Sequence, residues 1–418
     1  MGARKGLGGL RAFLILLVVV LGGCCESRPV VPTLAPVTIT FFSSYYEVEY
    51  YQLLAEEFNS THPDVYVQVE SARGQEYPSD FYSVDVFAGS QLYGAQLQAQ
   101  GDILDMSPFI EHDLAFDPSD FLPGTLEAFT SGDGLWAIPL GIDPLVMYYN
   151  RDMFDAAGAA YPQSGWTWEE FLDAALAVNN PEANVFGYVS TPQSNDPIPF
   201  IYQHGGKILD DPSEPTRTTF DDPLTIEAVE WYADLVHEYN VIPTAEQRRS
   251  AFPGTNGILQ GIGQGRVGMW VGALSERGGA LWRRQRWEMN WGAAPLPRDV
   301  HSMTLADVRG YYISAHTEHH EACWQWVTYV SKQPYYRLAP ARKALLYSEE
   351  YEEEVGSRVV AAARASVENA VLVTPRLIAF SQVIEEAFLP AIESVIDGAT
   401  PEEAMIAAQG EAEIILGQ

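Results

Sequence analysis

Cysteine and lysine are the scarcest features of this chain: among 418 residues there are three cysteines and four lysines. Three cysteines cannot build a disulfide framework. Cys24 and Cys25 are adjacent near the start, and Cys323 sits in the apolar helical run EACWQWVTYV, where it reads as a small core residue. Positive charge is short overall, with 24 Lys and Arg against 56 Asp and Glu, a net charge of −32. A surface this acidic repels phosphate backbones and excludes nucleic acid as a partner. The apolar run AFLILLVVVL is about half the ~20 residues that span a bilayer as a helix. No G-x-S-x-G elbow, no phosphate-binding P-loop and no internal repeat occur.

What the opening residues do have is a basic stretch (Arg4, Lys5, Arg11), the apolar run, and then Leu21-Gly22-Gly23-Cys24. This is the layout of a secretory signal over residues 1–23. Its last four residues resemble a bacterial lipobox, which implies that Cys24 becomes the mature N-terminus. It would then carry at least two acyl chains, the number that stable anchoring requires. Residues 24–36, with three prolines, read as a semi-extended tether. The globular body therefore begins near Val37, outside the membrane.

The body is 47% hydrophobic over the whole chain, enough for substantial cores, and its length suits two or three domains. VTITFF has strand character, and Tyr50, Leu53, Leu54 and Phe58 follow at helical spacing. Further strands are expected at DVYVQVE and SVDVFAG, with a helix over YGAQLQAQ ending at Gly101. Strand followed by helix, repeated, predicts an α/β fold with a mostly parallel sheet. LWAIPL and LVMYYN read as two strands joined through GIDP. Thr167 and Glu170 form a capping box for the helix beginning at Trp168. IEAVEWYADLVHEY is a further helix, and Thr400-Pro401 starts the last one. The acidic run at 348–356 reads as a solvated helix face.

Two motifs invite over-reading. GQGRVG at 263–268 matches G-x-G-x-x-G, but that fingerprint needs a strand before it and a helix after it, and VGMWVG after it looks like a strand. His316 and His320 are spaced to ligate zinc on a helix. The better reading there makes Thr317 an N-cap and Glu318 a first-turn acid. No metal or cofactor site is implied.

Several stretches, taken together, resemble one family: the extracellular solute-binding proteins of ABC importers, in the subgroup that mostly takes sugars. They are TITFFSSYYEVEYYQLLAEEFNSTHPDVYVQV, VDVFAGSQLYGAQLQAQGDILDMSPFI, LWAIPLGIDPLVMYYNRDMFDAAGAAYPQSGWTWEEFLDAA, QGRVGMWVG, WGAAPLPRD, HHEACWQWVTYV, VTPRLIAFSQV and DGATPEEAMIAA. Each is weak alone, but they occur in the family's order. The resemblance implies a two-lobe, periplasmic-binding-protein-like (type II) fold that closes on one solute like a hinge. It places lobe one at 37–143 plus 306–335 and lobe two at 144–305 plus 336–418.

In parallel α/β lobes, ligands sit at the carboxyl ends of strands. The candidate binding residues are therefore Ser43, Ser44, Tyr45 and Glu47 after the first strand, and Ser90, Gln91 and Tyr93 after the third. Asp143 lies at the lobe crossing, Trp270 and Gly272 in VGMWVG, Arg309, Gly310 and Tyr311 in RGYY, and Arg376 in TPR. Rings suit the C–H face of a pyranose, and charged groups suit its hydroxyls. Each has a plainer reading. Trp270 reads equally as core, Arg376 as the partner of a structural carboxylate, Asp143 before Pro144 as a turn, and Ser43 to Tyr45 as helix caps. The function implied is a monomeric, non-enzymatic receptor for a carbohydrate, lipid-anchored on the outer face of the membrane and delivering to an ABC permease. The alternatives are a same-fold receptor for a polyamine, anion or peptide, or a secreted glycoside hydrolase.

Overall fold

The computed structural model describes residues 36–191, 196–211, 215–279, 286–373 and 380–417. Cys24, with the signal and tether expected around it, and Arg376 lie outside the described residues.

Strand β1 (Val37–Phe42) consists of four β-branched residues followed by two phenylalanines, and Ile39 and Phe41 are fully buried. Helix α1 (Val48–Thr61) follows and buries Tyr51, Ala55 and Phe58, a stripe at intervals of four and three. Strands β2 (Val65–Glu70) and β3 (Val86–Ser90) pair parallel with β1 on either side. Helix α2 (Gln91–Gln100) leaves β3 directly, capped by the Ser90 hydroxyl, and stops at Gly101 in the left-handed conformation.

Strand β4 (Ile138–Asn150) organises the rest. Its 13 residues form one continuous strand, about 40 Å long at the usual rise. The stretches LWAIPL and LVMYYN are thus not two strands with a turn between them, and GIDP runs straight through. The local turn signal of Asp-Pro loses to pairing on both sides and to burial, since Asp143 alone in the strand is not buried.

After β4, helix α3 (Trp168–Val178) has the capping box expected at Thr167 and Glu170. Strand β5 (Phe186–Val189), helix α4 (Pro223–His237), β6 (Val267–Ala273) and β7 (Trp291–Ala294) follow. Strand β8 (Thr304–Ile313) returns antiparallel to β4 and continues beside β3. Helix α5 (His320–Val330) then buries Cys323, Trp324 and Trp326. A short strand β9 (Ala339–Pro340), helix α6 (Ser357–Glu368), strand β10 (Ala370–Leu372) and helices α7 (Leu389–Ile396) and α8 (Pro401–Leu416) complete the fold. Thr400 and Pro401 start α8 where the sequence places its beginning.

The main sheet runs β2-β1-β3-β8-β4-β6-β5, with β7 and β9 also on β4 and β10 on β8. The first half of β4 pairs with β8, and its second half with β6 and β7. One core packs around β1, β3, α1 and α5, with Phe41, Tyr51, Phe58, Tyr311 and Trp326 at its centre. A second and a third cover the two faces of the sheet around β5 and β6. This is a two-lobe α/β architecture, and β4 and β8 lie side by side in the middle of its sheet.

One further local expectation is corrected, and the reading of GQGRVG holds. Helix α5 begins at His320, so Thr317 is not its cap; its hydroxyl instead bonds the Asp85 carboxylate and accepts from the His319 amide. His316 is held by Asp102 at 2.8 Å. GQGRVG joins a helix at Gly257–Gly263 to β6, the reverse of the nucleotide-binding order. Among the described residues, no cluster of His, Cys, Asp and Glu could hold a metal ion, and no helix is long and apolar enough to cross a membrane.

Removing the α3 cap is expected to cost about 1 kcal/mol. Thr167→Ala followed by urea unfolding should show a lower midpoint at unchanged slope; an unchanged midpoint would mean the cap contributes nothing.

Candidate functional site

Side chains on a strand alternate faces, and directly paired residues share one. Arg309 on β8 pairs with Ser90 on β3, and Asp307, two residues back, pairs with Asp143 on β4. These four side chains therefore project from the same face, at the point where the sheet passes from one lobe to the other. Further along this face, Tyr311 lies inside the first core with its hydroxyl 3.3 Å from that of Tyr51.

Glu47, at the entry to α1, supplies the first wall. Its Oε1 accepts from Arg309 Nη1 at 3.2 Å and from the Tyr335 hydroxyl. Both ends of this ion pair are largely shielded, with side-chain exposures of 15% for Arg309 and 9% for Glu47. Burial works against the Arg309 charge, and Glu47 outweighs it, so the guanidinium stays charged. Beside them, the Tyr77 hydroxyl donates to Ser90 Oγ at 3.2 Å, and the Tyr77 ring stacks on Tyr93 at 3.8 Å. Tyr45 and Tyr46, next to Glu47, leave about half of each side chain in solvent, 46% and 54%.

The opposite wall comes from the end of β6. The backbone amide and hydroxyl of Ser275 donate to the two oxygens of Asp143 at 2.8 and 2.6 Å. Arg337 donates to the Ser275 carbonyl at 2.7 Å, and Arg277 donates to the carbonyls of Arg337 and Tyr336. Behind Ser275 lies an aromatic cluster. Tyr148 bonds the Ala273 carbonyl at 2.8 Å and packs on Trp270, Trp287 and Trp291.

Two carboxylates therefore sit side by side on the shared strands. Burial raises the Asp143 pKa, opposed by the Ser275 bonds and by Arg309 and Arg277. Burial and then the neighbouring Asp143 charge push Asp307 up to about 6, against the pull of Arg309. The arrangement offers carboxylate acceptors, guanidinium donors, hydroxyls and exposed rings between two lobes. It is built for recognition by hydrogen bonds.

A family profile described as "Bacterial extracellular solute-binding protein" matches residues 45–335. The chain belongs to that family. An uncharacterized lipoprotein of Streptomyces antibioticus is 30% identical to this solute-binding protein over 186 residues, 40% of this chain and 39% of that one. The sn-glycerol-3-phosphate-binding periplasmic protein UgpB of Rhizobium meliloti is 28% identical over 137 residues, 32% of this chain and 31% of its own. The chain thus spans well under half the length of either curated relative. Among solved structures, the ABC substrate-binding protein of Listeria monocytogenes in complex with cycloalternan superposes with a TM-score of 0.71 at 20% identity. That match covers 91% of this chain and 99% of the other and speaks to the fold.

In this solute-binding protein, Glu47, Ser90, Asp143 and Arg309 are drawn together, and Tyr93 and Tyr45 lie at the margin. Other candidates turn away. Ser43 is fully buried, and Ser44 bonds within its own turn, accepting from Tyr46 N. Gln91 is buried and donates to the Ala128 carbonyl. Gly310 and Tyr311 belong to the first core, where a Cβ on Gly310 would meet Ala137 and Phe129 at 2.9 Å. Trp270 is 2% exposed, so its ring belongs to the core and offers no face to a solute. Gly272 is buried beside it, and a Cβ there would fall 2.7 Å from Glu276. Asp143 is a strand residue and makes no turn.

Sequence reasoning missed Asp307, Tyr335, Ser275, Arg277 and Arg337. Alternation along β8 could have found Asp307, since it shares a face with Arg309. Nothing local marks the other four, which arrive from loops after β6 and α5.

Truncating the buried indole, Trp270→Ala, should destabilise the fold by about 3–5 kcal/mol in urea unfolding; a variant of native stability would mean the ring is not core. Asp307 offers a pH test. Its folded pKa lies above the ordinary carboxylate value, so the folded state holds the proton more tightly. Its contribution favours folding in acid, is lost as pH rises through about 6, and leaves a penalty above that. Asp307→Asn should therefore add about 2 kcal/mol of stability at pH 8 and close to nothing at pH 4. An equal effect at both pH values would contradict a charge-based cause.

Proposed function

We propose that this chain captures a carbohydrate between its lobes by hinge closure and delivers it, unaltered, to an ABC permease. It acts as a monomer, held at the outer face of the membrane by acyl chains on Cys24, with β4 and β8 as the hinge between the lobes assigned from the sequence. The observation that carries this reading is the Glu47–Arg309–Asp307–Asp143–Ser275 chain of polar groups. Its first member stands on lobe one, its last on lobe two, and the middle three on the shared strands. Movement of one lobe against the other changes the spacing of these groups, which is how a hinge couples closure to binding.

Family membership supports a solute-binding role. The cycloalternan complex of the Listeria neighbour supports a saccharide in a fold of this kind. Micromolar capture needs about 8 kcal/mol. One ring face of ~100 Å² contributes roughly 2.5 kcal/mol, and Tyr45 and Tyr46 stand exposed to supply it. Hydrogen bonds to desolvated charged groups supply the remainder.

The test is a thermal-shift screen of the mature chain over mono-, di- and oligosaccharides, followed by titration calorimetry. A true ligand at a hundred times its Kd should stabilise the fold by about 2.7 kcal/mol, bind one to one and be recovered intact. No shift across the panel removes the carbohydrate reading, and hydrolysed product would make the protein an enzyme.

A further inference from the structure

The relatives differ in the charge of what their names say they bind, and the shared strands carry a feature that bears on this. Resting on the carbohydrate reading above, we propose that Asp143 and Asp307 together form an anion filter. The cleft takes an uncharged polyhydroxylated solute and rejects its phosphate ester.

Three observations converge. First, the two carboxylates are direct cross-strand neighbours on the face that carries Arg309, so a ligand lying on these strands meets both at once. Like charges placed opposite one another are unfavourable, and a phosphate monoester adds about −1.5 to −2 at neutral pH. Second, among the described residues each nearby guanidinium already holds a protein partner, and Arg309 keeps Nε open. Arg309 is paired with Glu47 at 3.2 Å, Arg277 spans the carbonyls of Tyr336 and Arg337, and Arg337 donates to the Ser275 carbonyl. A bidentate phosphate clamp needs a guanidinium fork free to turn toward the anion. Third, the carboxylates Glu47, Asp143 and Asp307 stand against the guanidiniums of Arg309, Arg277 and Arg337, so among the described residues the site carries no excess of positive charge. A neutral hydroxyl suits it, because a hydroxyl can donate to a carboxylate and accept from a guanidinium. A phosphate can only accept, and it would leave both aspartates facing a like charge.

Arg309 and Glu47 extend the same logic. Glu47 Oε2 and Arg309 Nε are buried without a hydrogen-bond partner, one acceptor and one donor left open beside the ion pair. That complement matches hydroxyl groups, not an anion.

The experiment is titration calorimetry of the mature chain with matched pairs: trehalose and trehalose phosphate, mannitol and mannitol phosphate, the best neutral solute of the saccharide screen and its phosphate ester, and glycerol phosphate alone. The neutral member of a pair should bind at least tenfold more tightly than its ester. Asp307→Asn, and separately Asp143→Asn, should narrow that gap at least tenfold, with each variant's melting curve confirming its fold. An ester that binds within tenfold of its neutral partner, or glycerol phosphate binding more tightly than every neutral solute, overturns the filter and leaves saccharide capture standing. A gap unchanged in both folded variants overturns the role of the aspartates. If no neutral member binds at all, the carbohydrate reading itself fails and the filter falls with it.

Discussion

A carboxylate held half-desolvated on a strand that both lobes use is the constraint around which this molecule is arranged. Asp143 is the one residue of β4 that is not buried, and it lies where the strand leaves one lobe's pairing and enters the other's. Taking a charge out of water is costly unless partners replace the lost hydration. The partners come from the end of β6 through Ser275 and from β8 through Arg309, and Arg309 in turn is held by Glu47 at the entry to α1. Solvating this charge therefore brings segments far apart in the chain onto one patch of sheet. Asp307, pressed against it, makes the patch more acidic than its guanidiniums can fully offset.

Much of this was legible in the chain, and the reasons for the exceptions are physical. Strand-helix alternation showed in VTITFF and the spacing of its following helix, and Thr167 with Glu170 marked the α3 cap, because such signals are local. The turn read at GIDP was overridden because pairing along the whole length of Ile138–Asn150 outweighs a dipeptide preference. Thr317 failed as a cap for a related reason: Asp85, far away in sequence, claims its hydroxyl. Trp270 shows the limit most plainly. An aromatic residue in a short apolar strand has the same local appearance whether it faces a core or a cleft, and only its burial against the rings of Tyr148 and Trp287 settles the matter.

For the polar cluster at the strand junction, strand-borne members were within reach and loop-borne members were not. Glu47, Ser90, Asp143 and Arg309 follow or occupy strands, so the rule that ligands gather at strand ends brings them into view as candidates. Ser275, Arg277, Tyr335 and Arg337 sit on connections whose course depends on where two lobes meet. Their approach to one another spans sequence separations of 60 residues or so between Arg277 and the Tyr336–Arg337 carbonyls. No periodicity encodes a meeting of that kind.

The aromatic cluster behind Ser275 has a practical side. Trp287 and Trp291 are only partly buried, and both touch Tyr148. Indole emission responds to the polarity and fields around the ring. Any rearrangement of the Ser275 loop would change the surroundings of these indoles, so the molecule carries its own optical reporter, readable without any attached dye.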